Sequence, residues 1–521
     1  MNRPNIIIVM TDQQRADLRK GCGYPLDTMP FLDSFAANGV DFSRAYTPNP
    51  TCMPARVSMF TGRYPSCHHV RTNHNEIDAT YTQDLLDILH AAGYRTALCG
   101  KNHSHHKADD FDFFEPCGHL GYEGETNNSD AERDFADFLR ATNHMEMHQP
   151  SPGGVTVQHP YRNVSSAFKF IDSCPQDQPF FAWVSFAEPH NPYQVPEPYY
   201  DMFSPETLPA AHADASILAD KGVRWQWLRS VWDTVLGEDI DARILRARSN
   251  YHGMLRLIDD QFKRLVEGLE QRGLRENTWI IYLSDHGDFA GEYGLIRKGV
   301  DLPELLTHIP FIMQGPGIVQ QKYIEHACVN IVDLLPTICD YLQIPIPAGV
   351  QGKSLLPLLQ QTPYPPGEYD VAYSESGFSG LYWNERDALT LPDEGACDAA
   401  FTRFDCLNTW TQCGQVRMVR KGDWKIQCDM EGTVYLYNLK EDPYELHNLA
   451  ENAAFCIEKT EMLCELSAAM MRACDPLPFP HRRYRVKRHP QGFWKDSVYQ
   501  SKDVGICNLE ALSILSQHHN R

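Results

Sequence analysis

The sequence predicts an α/β fold built on a largely parallel β-sheet, followed by a smaller α+β domain. Over the first two-thirds of the 521 residues, short apolar runs alternate with helical patterns, as expected where helices connect parallel strands. Beyond residue 366 the pattern changes to short strands separated by turns. The Pro-rich stretch Pro345–Pro366 marks the expected boundary, which assigns residues 1–365 to a large domain and 366–521 to a small one.

Central strands are predicted where short β-branched or aromatic segments are followed by polar residues. Four segments of the large domain fit this pattern: Asn5–Met10, Arg95–Cys99, Phe180–Phe186 and Trp279–Ser284. An apolar stripe that repeats every three or four residues from Ile258 to Leu269 predicts an amphipathic helix over about Asn250–Gln271, ended by Gly273.

The small domain is predicted to contain strands at Val371–Ser374, Val416–Gln427 and Val434–Leu439, and then a helix near Ala453–Cys474. The closing segment His481–Lys495 is a basic tail in an acidic protein. We expect this tail to form a solvated face or a subunit contact, with a contribution to binding an acidic substrate as the alternative.

The composition excludes several classes of protein and partner. A hydrophobic fraction of 42% with 11% aromatic residues is enough to build a large core, so the chain is not disordered. The net charge of −21 repels nucleic acid and anionic membranes, so neither is an expected partner. An anionic substrate would therefore need a site that reverses the sign of the charge locally.

The cysteines and the N-terminal segment bear on the expected compartment. The 16 Cys are scattered without a CxxC pair, which favours reduced thiols. No apolar run is long enough to span a bilayer, and the apolar stretch Ile6–Met10 is short and lacks a small-residue cleavage site. It is therefore interpreted as a buried strand and not as a signal peptide, and a cytoplasmic location is expected.

Residues suited to metal binding follow two of the predicted strands. Asp12 and Gln13 follow the first strand, and Asp285 and His286 follow the fourth. The carboxyl ends of strands in an open α/β sheet meet at one edge, so these residues should converge. Two carboxylates, an amide oxygen and an imidazole suit a moderately hard divalent cation. For any single Asp at a strand end, helix capping is the alternative.

A further cluster, Thr51-Cys52-Met53-Pro54-Ala55-Arg56, is predicted to begin a helix. Pro54 fits the first helical turn, which places Cys52 near a helix N-terminus, where backbone N–H groups attract anions. Arg56 lies four residues after Cys52 and can share its face of the helix. By itself, this short pattern also fits a reactive or buried thiol before a helix.

This cluster resembles the signature of the type I sulfatases, which belong to the alkaline-phosphatase superfamily. Thr61-Gly62-Arg63-Tyr64-Pro65 follows it at the family's spacing. Further matches occur in the family's order, namely Asn5–Asp12, Gly100-Lys101-Asn102-His103, Glu188–Tyr193, Asp285-His286-Gly287 with Lys298, and Leu436–Leu449. The resemblance implies an alkaline-phosphatase-like sandwich, with a large mixed, mostly parallel sheet between helices and a smaller C-terminal domain with an antiparallel sheet.

The resemblance also implies a sulfuric ester hydrolase in which Cys52 is oxidised by a maturation enzyme to Cα-formylglycine, whose hydrate is the nucleophile. The other implied roles are cation ligands, positive charges for sulfate, a base for the remaining hydroxyl and an acid for the leaving alcohol. The implied cation ligands are Asp12, Gln13, Asp285 and His286. The implied positive charges for sulfate are Arg56, Lys101 and Lys298. The implied base is His103, and the implied acid is His190. The implied substrate is a small sulfated sugar or alcohol, and a homo-oligomer is left open.

Two residues depart from the common sulfatase pattern. Many sulfatases have a second Asp in place of Gln13 and an Asn in place of His286. The Gln and His pair resembles the choline-sulfatase-like and phosphonate-monoester-hydrolase-like branches, as does Asn73, a candidate sulfate contact 21 residues after Cys52. Calcium is common in the family, whereas His286 favours manganese.

Two other functions remain open at this stage: a phosphonate monoester or phosphodiester hydrolase with the same nucleophile, and a non-catalytic binding protein.

Several polar residues near these motifs are not expected to be ligands. His105 and His106, and likewise His68 and His69, are interpreted as solvated or hydrogen-bonded loop residues, with lining of the pocket as the alternative. Asp288 and Glu292 are interpreted as loop groups or as outer supports of the site. The segments 118–159, 196–245 and 376–415 contain no motif and are expected to hold the specificity loops.

Overall fold

The computed structural model describes residues 3–122, 129–142, 144–378, 386 and 413–474. Its strands include β1 (Asn5–Asp12), β2 (Val40–Phe42), β3 (Ala45–Tyr46), β4 (Arg95–Gly100), β5 (Phe113–Pro116), β6 (Phe180–Pro189), β7 (Thr278–Ser284), β8 (Phe311–Gln314), β9 (Tyr323–Ile324), β10 (Val329–Asn330), β11 (Val371–Ser376), β12 (Val416–Lys421), β13 (Trp424–Asp429) and β14 (Val434–Asn438). Its α-helices include α1 (Pro30–Ala37), α2 (Cys52–Thr61), α3 (Pro65–His68), α4 (Leu85–Ala91), α5 (Asp130–Ala141), α6 (His159–Asp172), α7 (Tyr199–Met202), α8 (Leu218–Lys221), α9 (Val223–Leu236), α10 (Ile240–Gln271), α11 (Glu304–Thr307), α12 (Leu334–Leu342), α13 (Leu356–Leu359) and α14 (Cys456–Ala473).

The large sheet has eight strands in the order β5-β4-β6-β1-β7-β8-β2-β9. The five strands from β5 to β7 run parallel, whereas β8 is antiparallel to β7 and β2. Side chains of the central strand β1 alternate between two cores: Ile7 and Val9 pack on one face, and Ile6, Ile8 and Met10 on the other. The predicted fold class, a mixed and mostly parallel sheet between helices, is confirmed.

Helices cover both faces of this sheet and leave the carboxyl ends of its central strands to form the site. Helices α1, α6, α9 and α10 contribute to one core, and α2, α4 and α12 contribute to the other. Thr11 of β1 pairs with Ser284 of β7, so the next residues of the two strands, Asp12 and Asp285, are neighbours. The predicted convergence of these strand ends therefore follows from the parallel register.

The C-terminal part forms a four-stranded antiparallel sheet, β11-β12-β13-β14, as predicted. Helix α14 packs on it through Met462, Leu466 and Ala469. The sheet also contacts the large sheet's loops, because the backbone N–H of Glu375 donates to the carbonyl of Pro48 at 2.8 Å. The domain boundary near residue 365 stays a prediction.

Three predicted elements differ in the structure. The single strand predicted over Val416–Gln427 is a hairpin of β12 and β13, because Gly422 adopts a positive φ of 60° that permits a tight turn. Helix α10 begins at Ile240, ten residues before the predicted start, since buried Ile244 and Ala247 continue its apolar stripe. The third concerns the expected loops: the segment 196–245 contains α7, α8, α9 and the first turn of α10, and the segment 118–159 contains α5.

Two predictions fall on parts of the chain that the structure does not describe. The basic closing segment His481–Lys495 and most of the segment 376–415 lie outside the described residues. Among the helices that are described, none is both long enough and apolar enough to cross a membrane.

Candidate active site

Cys52 lies at the first residue of α2 and is fully buried, in agreement with the predicted position at a helix start. Its Sγ is 3.2 Å from His286 Nε2, 3.1 Å from Lys298 Nζ and 3.6 Å from Asp12 Oδ1. Burial and Asp12 act to raise the pKa of the thiol, but Lys101, Lys298 and His286 outweigh them and hold that pKa well below its ordinary value. Position 52 is therefore a place where negative charge is stabilised.

Arg56, one turn along α2, joins the two strand-end carboxylates. Its Nη2 donates to Asp12 Oδ2 at 3.0 Å and its Nε donates to Asp285 Oδ2 at 2.9 Å. Its Nη1 donates to Ser185 Oγ at 2.8 Å and to the carbonyl of Lys101 at 3.1 Å. The side chain is fully buried. All of its nitrogens donate to protein acceptors, so Arg56 positions the carboxylates, and its predicted role as a positive charge for sulfate stays a prediction.

Gln13 turns the chain sharply after β1 and aims its side chain into the site. Its φ of 71° is unusual for a residue with a side chain. The turn is held from both sides: its N–H donates to Asp285 Oδ1 at 3.0 Å, and its carbonyl accepts from the hydroxyl of Tyr251 at 2.7 Å. The amide nitrogen donates to Asp288 Oδ2, which leaves Oε1 facing Lys298 Nζ at 3.4 Å. Asp288 thus supports the site from outside by holding the side chain of Gln13, as the sequence predicted.

The four predicted cation ligands converge, and their chemistry fits a divalent cation. His286 Nε2 lies 3.9 Å from Asp12 Oδ1 and 3.8 Å from Asp285 Oδ1. His286 Nδ1 is 2.9 Å from the carbonyl of Gly287, and donation to that acceptor requires the tautomer with a free lone pair on Nε2. Asp12, Asp285, His286 and Cys52 form one buried group whose potential ligand atoms lie within 4.8 Å of one another.

Lysine and histidine side chains lie next to this group. Lys101, directly after β4, donates to Asp12 Oδ2 and lies 2.7 Å from His119 Nε2. The ring of His119 stacks on that of His190, which follows β6, with 3.8 Å between the ring centroids. Burial holds the pKa of both imidazoles well below the ordinary value of histidine. Both rings are therefore neutral at neutral pH.

His103 and Asn73 complete the surroundings of Cys52. Burial and the charge of Lys101 lower the pKa of His103, although the neighbouring Cys52 acts in the opposite direction. His103 Nδ1 is buried and has no hydrogen-bond partner in the described part of the chain. The side-chain oxygen of Asn73 accepts from the backbone N–H of Met53 at 3.1 Å, which caps the first turn of α2 beside position 52.

All of the predicted site residues meet around the start of α2, and one further residue joins them. His119 was missed because it stands in a segment without a motif. It follows the short strand β5, so the rule that ligands bind beyond strand ends would have found it had β5 been recognised. His105 and His106 are hydrogen-bonded loop residues, the first through Asp84 at 2.9 Å and the second through Asp110 at 3.3 Å. His68 bonds to Ser58 Oγ at 2.8 Å.

The chain is similar in sequence and in fold to known proteins. An uncharacterized sulfatase of Escherichia coli K12 is 27% identical over 501 residues, which cover 94% of this chain and 91% of the relative. The phosphonate monoester hydrolase of Agrobacterium radiobacter has a similar fold, with a TM-score of 0.72 and 22% identity over 90% of this chain and 96% of that one.

A third similar fold belongs to a protein solved in complex with its substrate D-glucosamine-2-N,6-O-disulfate, with a TM-score of 0.62 and 20% identity over 91% of this chain and 99% of that one. The family model described as Sulfatase matches residues 4–344, a range that contains each of the site residues named above. The chain therefore belongs to the sulfatase family.

Proposed function

We propose that the protein hydrolyses sulfate monoesters of small sugars or alcohols, with a formylglycine formed from Cys52 as its nucleophile. The observation that carries this proposal is the position of Cys52 Sγ, 3.1 Å from Lys298 Nζ and 3.2 Å from His286 Nε2 at a helix N-terminus. Formylglycine as its hydrate supplies two hydroxyl groups, one to attack sulfur and one whose deprotonation releases sulfate and restores the aldehyde.

Asp12, Gln13, Asp285 and His286 would hold one divalent cation. When bound, the cation polarises a sulfuryl oxygen and favours the deprotonated hydroxyl at position 52. Oxygen donors alone would favour calcium, and the imidazole of His286 makes manganese the alternative. Arg56 would keep the two carboxylates in position for the cation, because it donates to Oδ2 of each.

Lys101 and Lys298 would bind the sulfuryl oxygens. The two ammonium groups come from opposite sides of the site: Lys101 follows β4, and Lys298 lies in the loop after β7. Fixed positive charges in a water-poor site stabilise the negative charge that develops in the transition state. They also supply the local reversal of sign that a protein of net charge −21 needs for an anionic substrate.

His190 and His103 would move the protons. His190 would protonate the departing alcohol, since a bound sulfate would add negative charge and so raise the pKa that burial lowers. His103, whose pKa responds to the neighbouring Cys52, would take the proton from the remaining hydroxyl. Asn73 would contact the sulfate from the capped end of α2.

Hydrolysis of phosphonate monoesters is the second candidate function. It is favoured by the pairing of Gln13 with His286 and by the fold shared with the Agrobacterium enzyme. Lys101 and His103 favour the sulfatase, because His103 as a base promotes release of sulfate. Phosphoryl oxygens would also be attracted to Lys101, so some phosphonate turnover is expected.

The test compares kcat/KM for matched aryl sulfate, aryl phosphonate and phosphodiester substrates, with sulfated sugars in the same panel. The protein is co-expressed with a formylglycine-generating enzyme, and peptide mass spectrometry quantifies the conversion of Cys52 to the aldehyde. We expect conversion and a preference for sulfate esters. A tenfold preference for the phosphonate, about 1.4 kcal/mol of transition-state binding, would reverse the assignment. Full activity of Cys52→Ala would refute the nucleophile.

A cytoplasmic location is part of the proposal. Cys67, Cys99, Cys117, Cys328 and Cys339 are buried and unpaired, which supports a reducing compartment. Fractionation of the host cells with antibodies against the protein tests this location, and recovery outside the cytoplasm would contradict it.

A further inference from the structure

We propose that Asp84, His105 and His106 form a second metal site, which binds a transition-metal dication of the zinc type directly behind the loop that carries Lys101 and His103. These three residues contribute no ligand to the group around Asp12, and the sulfatase chemistry does not use them. Their potential ligand atoms lie within 4.8 Å of one another. The proposal does not depend on the substrate of the enzyme.

The imidazoles of His105 and His106 both approach one carboxylate oxygen of Asp84. Asp84 is the N-cap of α4, and its Oδ1 accepts from the backbone N–H of Asp87 at 3.1 Å. Only Oδ2 is left for the imidazoles, and it lies 2.9 Å from His105 Nε2 and 3.0 Å from His106 Nε2. The three side chains are between 1% and 5% exposed, so water does not screen these contacts.

The contact between His106 and Asp84 lacks the geometry of a hydrogen bond. His106 Nε2 is buried and has no hydrogen-bond partner within the described ranges, although a carboxylate oxygen is only 3.0 Å away. Its Nδ1 lies 3.3 Å from Asp110 Oδ2, and donation there leaves a lone pair on Nε2. Two lone pairs at this distance repel one another unless a cation binds both, as ligands of one ion do.

The surroundings also resemble a metal site. Donation of the second imidazole nitrogen to a carboxylate, as from His106 to Asp110, is the usual outer support of a metal-bound histidine. Phe60 packs edge-on against the rings of His105 and His106, and Tyr81 packs against His105, so both rings are held in place. Two imidazoles and one carboxylate are a ligand set that zinc favours, with water completing a tetrahedral geometry.

The position of the site suggests its role. Asn102 Nδ2 donates to the carbonyl of His106 at 2.7 Å, so the segment from Lys101 to His106 is closed on itself. An ion bound to Asp84 would fasten this segment to the start of α4. The site would thus hold Lys101 and His103 in place without contacting the substrate.

The experiment measures the number of zinc ions bound per full-length chain, after metals are removed with a chelator and the protein is dialysed against zinc chloride. Asp285→Asn removes a ligand of the active-site cation, His106→Gln removes one from the second site, and His90→Gln is the matched control. His90 lies in α4 itself but bonds to Thr96 Oγ1 at 2.9 Å. We expect the zinc ion of the second site to be retained in Asp285→Asn and in His90→Gln. His106→Gln should bind it at least about tenfold more weakly.

A second measurement does not depend on the zinc affinity of the active site. Zinc chloride should raise the Tm of Asp285→Asn, and this rise should be absent from the double variant that adds His106→Gln. The competing explanation is a protonated His106 that bridges Asp84 and Asp110 without metal. The proposal is overturned if Asp285→Asn binds no zinc, or if His106→Gln binds zinc as tightly as the parent protein.

Discussion

Lys298 Nζ lies 3.1 Å from Cys52 Sγ and 3.4 Å from both Gln13 Oε1 and His286 Nε2. One ammonium group therefore contacts the nucleophile position and two candidate cation ligands. Burial acts to lower the pKa of Lys298, but Cys52, Asp12 and Asp285 outweigh it and raise that pKa. The side chain stays charged, and its charge is fixed where the sulfuryl oxygens are expected to bind.

Replacing Lys298 by Met should therefore lower kcat/KM for an aryl sulfate by about 10²–10³-fold, the effect of removing one preorganised group that stabilises transition-state charge. Lys263→Met is the control, because Lys263 is half exposed and pairs with Glu267 on the surface of α10. Steady-state kinetics on matured protein provide the measurement. Unchanged kcat/KM in Lys298→Met would show that this ammonium group does not act on the substrate.

Arg56→Met should destabilise the metal-free protein by about 3–5 kcal/mol, because it leaves Asp12 and Asp285 buried without their shared partner. Urea unfolding measures this loss. The loss should be smaller in excess calcium or manganese, since a bound cation also offsets the two carboxylates.

The control for Arg56 is Arg272→Met, which removes a two-pronged pair with exposed Asp172 and should cost less than about 1 kcal/mol. Equal losses for the two variants would mean that Arg56 does not hold the site together.

His119→Phe should lower kcat/KM by about 10–100-fold while leaving the cation affinity unchanged. Phe keeps a ring to stack on His190 but lacks the nitrogen that lies 2.7 Å from Lys101 Nζ. Hydrogen bonds to charged groups contribute about 1.5–3 kcal/mol, which corresponds to this range of rates. Exposed His326, which bonds to Tyr364, is the control when replaced by Phe. An altered cation affinity in His119→Phe would contradict a role of His119 that acts through Lys101 alone.

His252 should make the stability of the fold depend on pH. It is fully buried between the hydroxyl of Tyr24 and the carbonyl of Arg248, and burial lowers its pKa to about 3. The unfolded chain takes up a proton near pH 6.5, whereas the folded chain does so only near pH 3. The stabilising contribution is therefore complete above about pH 6.5 and is lost as the pH falls toward 3.

His252→Gln tests this dependence. Between pH ~7 and pH ~5, the free energy of unfolding of the variant should fall by about 2 kcal/mol less than that of the parent protein. Urea unfolding at the two pH values gives the comparison, and His326→Gln serves as the surface control. Parallel losses in His252→Gln and the parent would place the titration elsewhere.

Much of the fold could be predicted because local chemistry determines it. Ile6–Met10 is continuously apolar, as a strand buried on both faces must be, and the start of α2 follows from Pro54. The hairpin at Gly422 and the early start of α10 were missed. A single glycine is not enough to predict a turn. The many polar residues between Ile240 and Asn250 obscure the apolar stripe, which becomes clear only from the packing of the helix.

The sequence by itself determined which chemical groups the site contains, because the ligand and nucleophile motifs are short and each is complete within one segment. Only the tertiary structure decided how these groups are used. The parallel register of β1 and β7 brings Asp12 beside Asp285, and this contact draws the guanidinium of Arg56 away from the substrate and between the carboxylates. The partnership of His119 with Lys101 was equally hidden, because contacts between distant segments depend on the packing of the whole sheet.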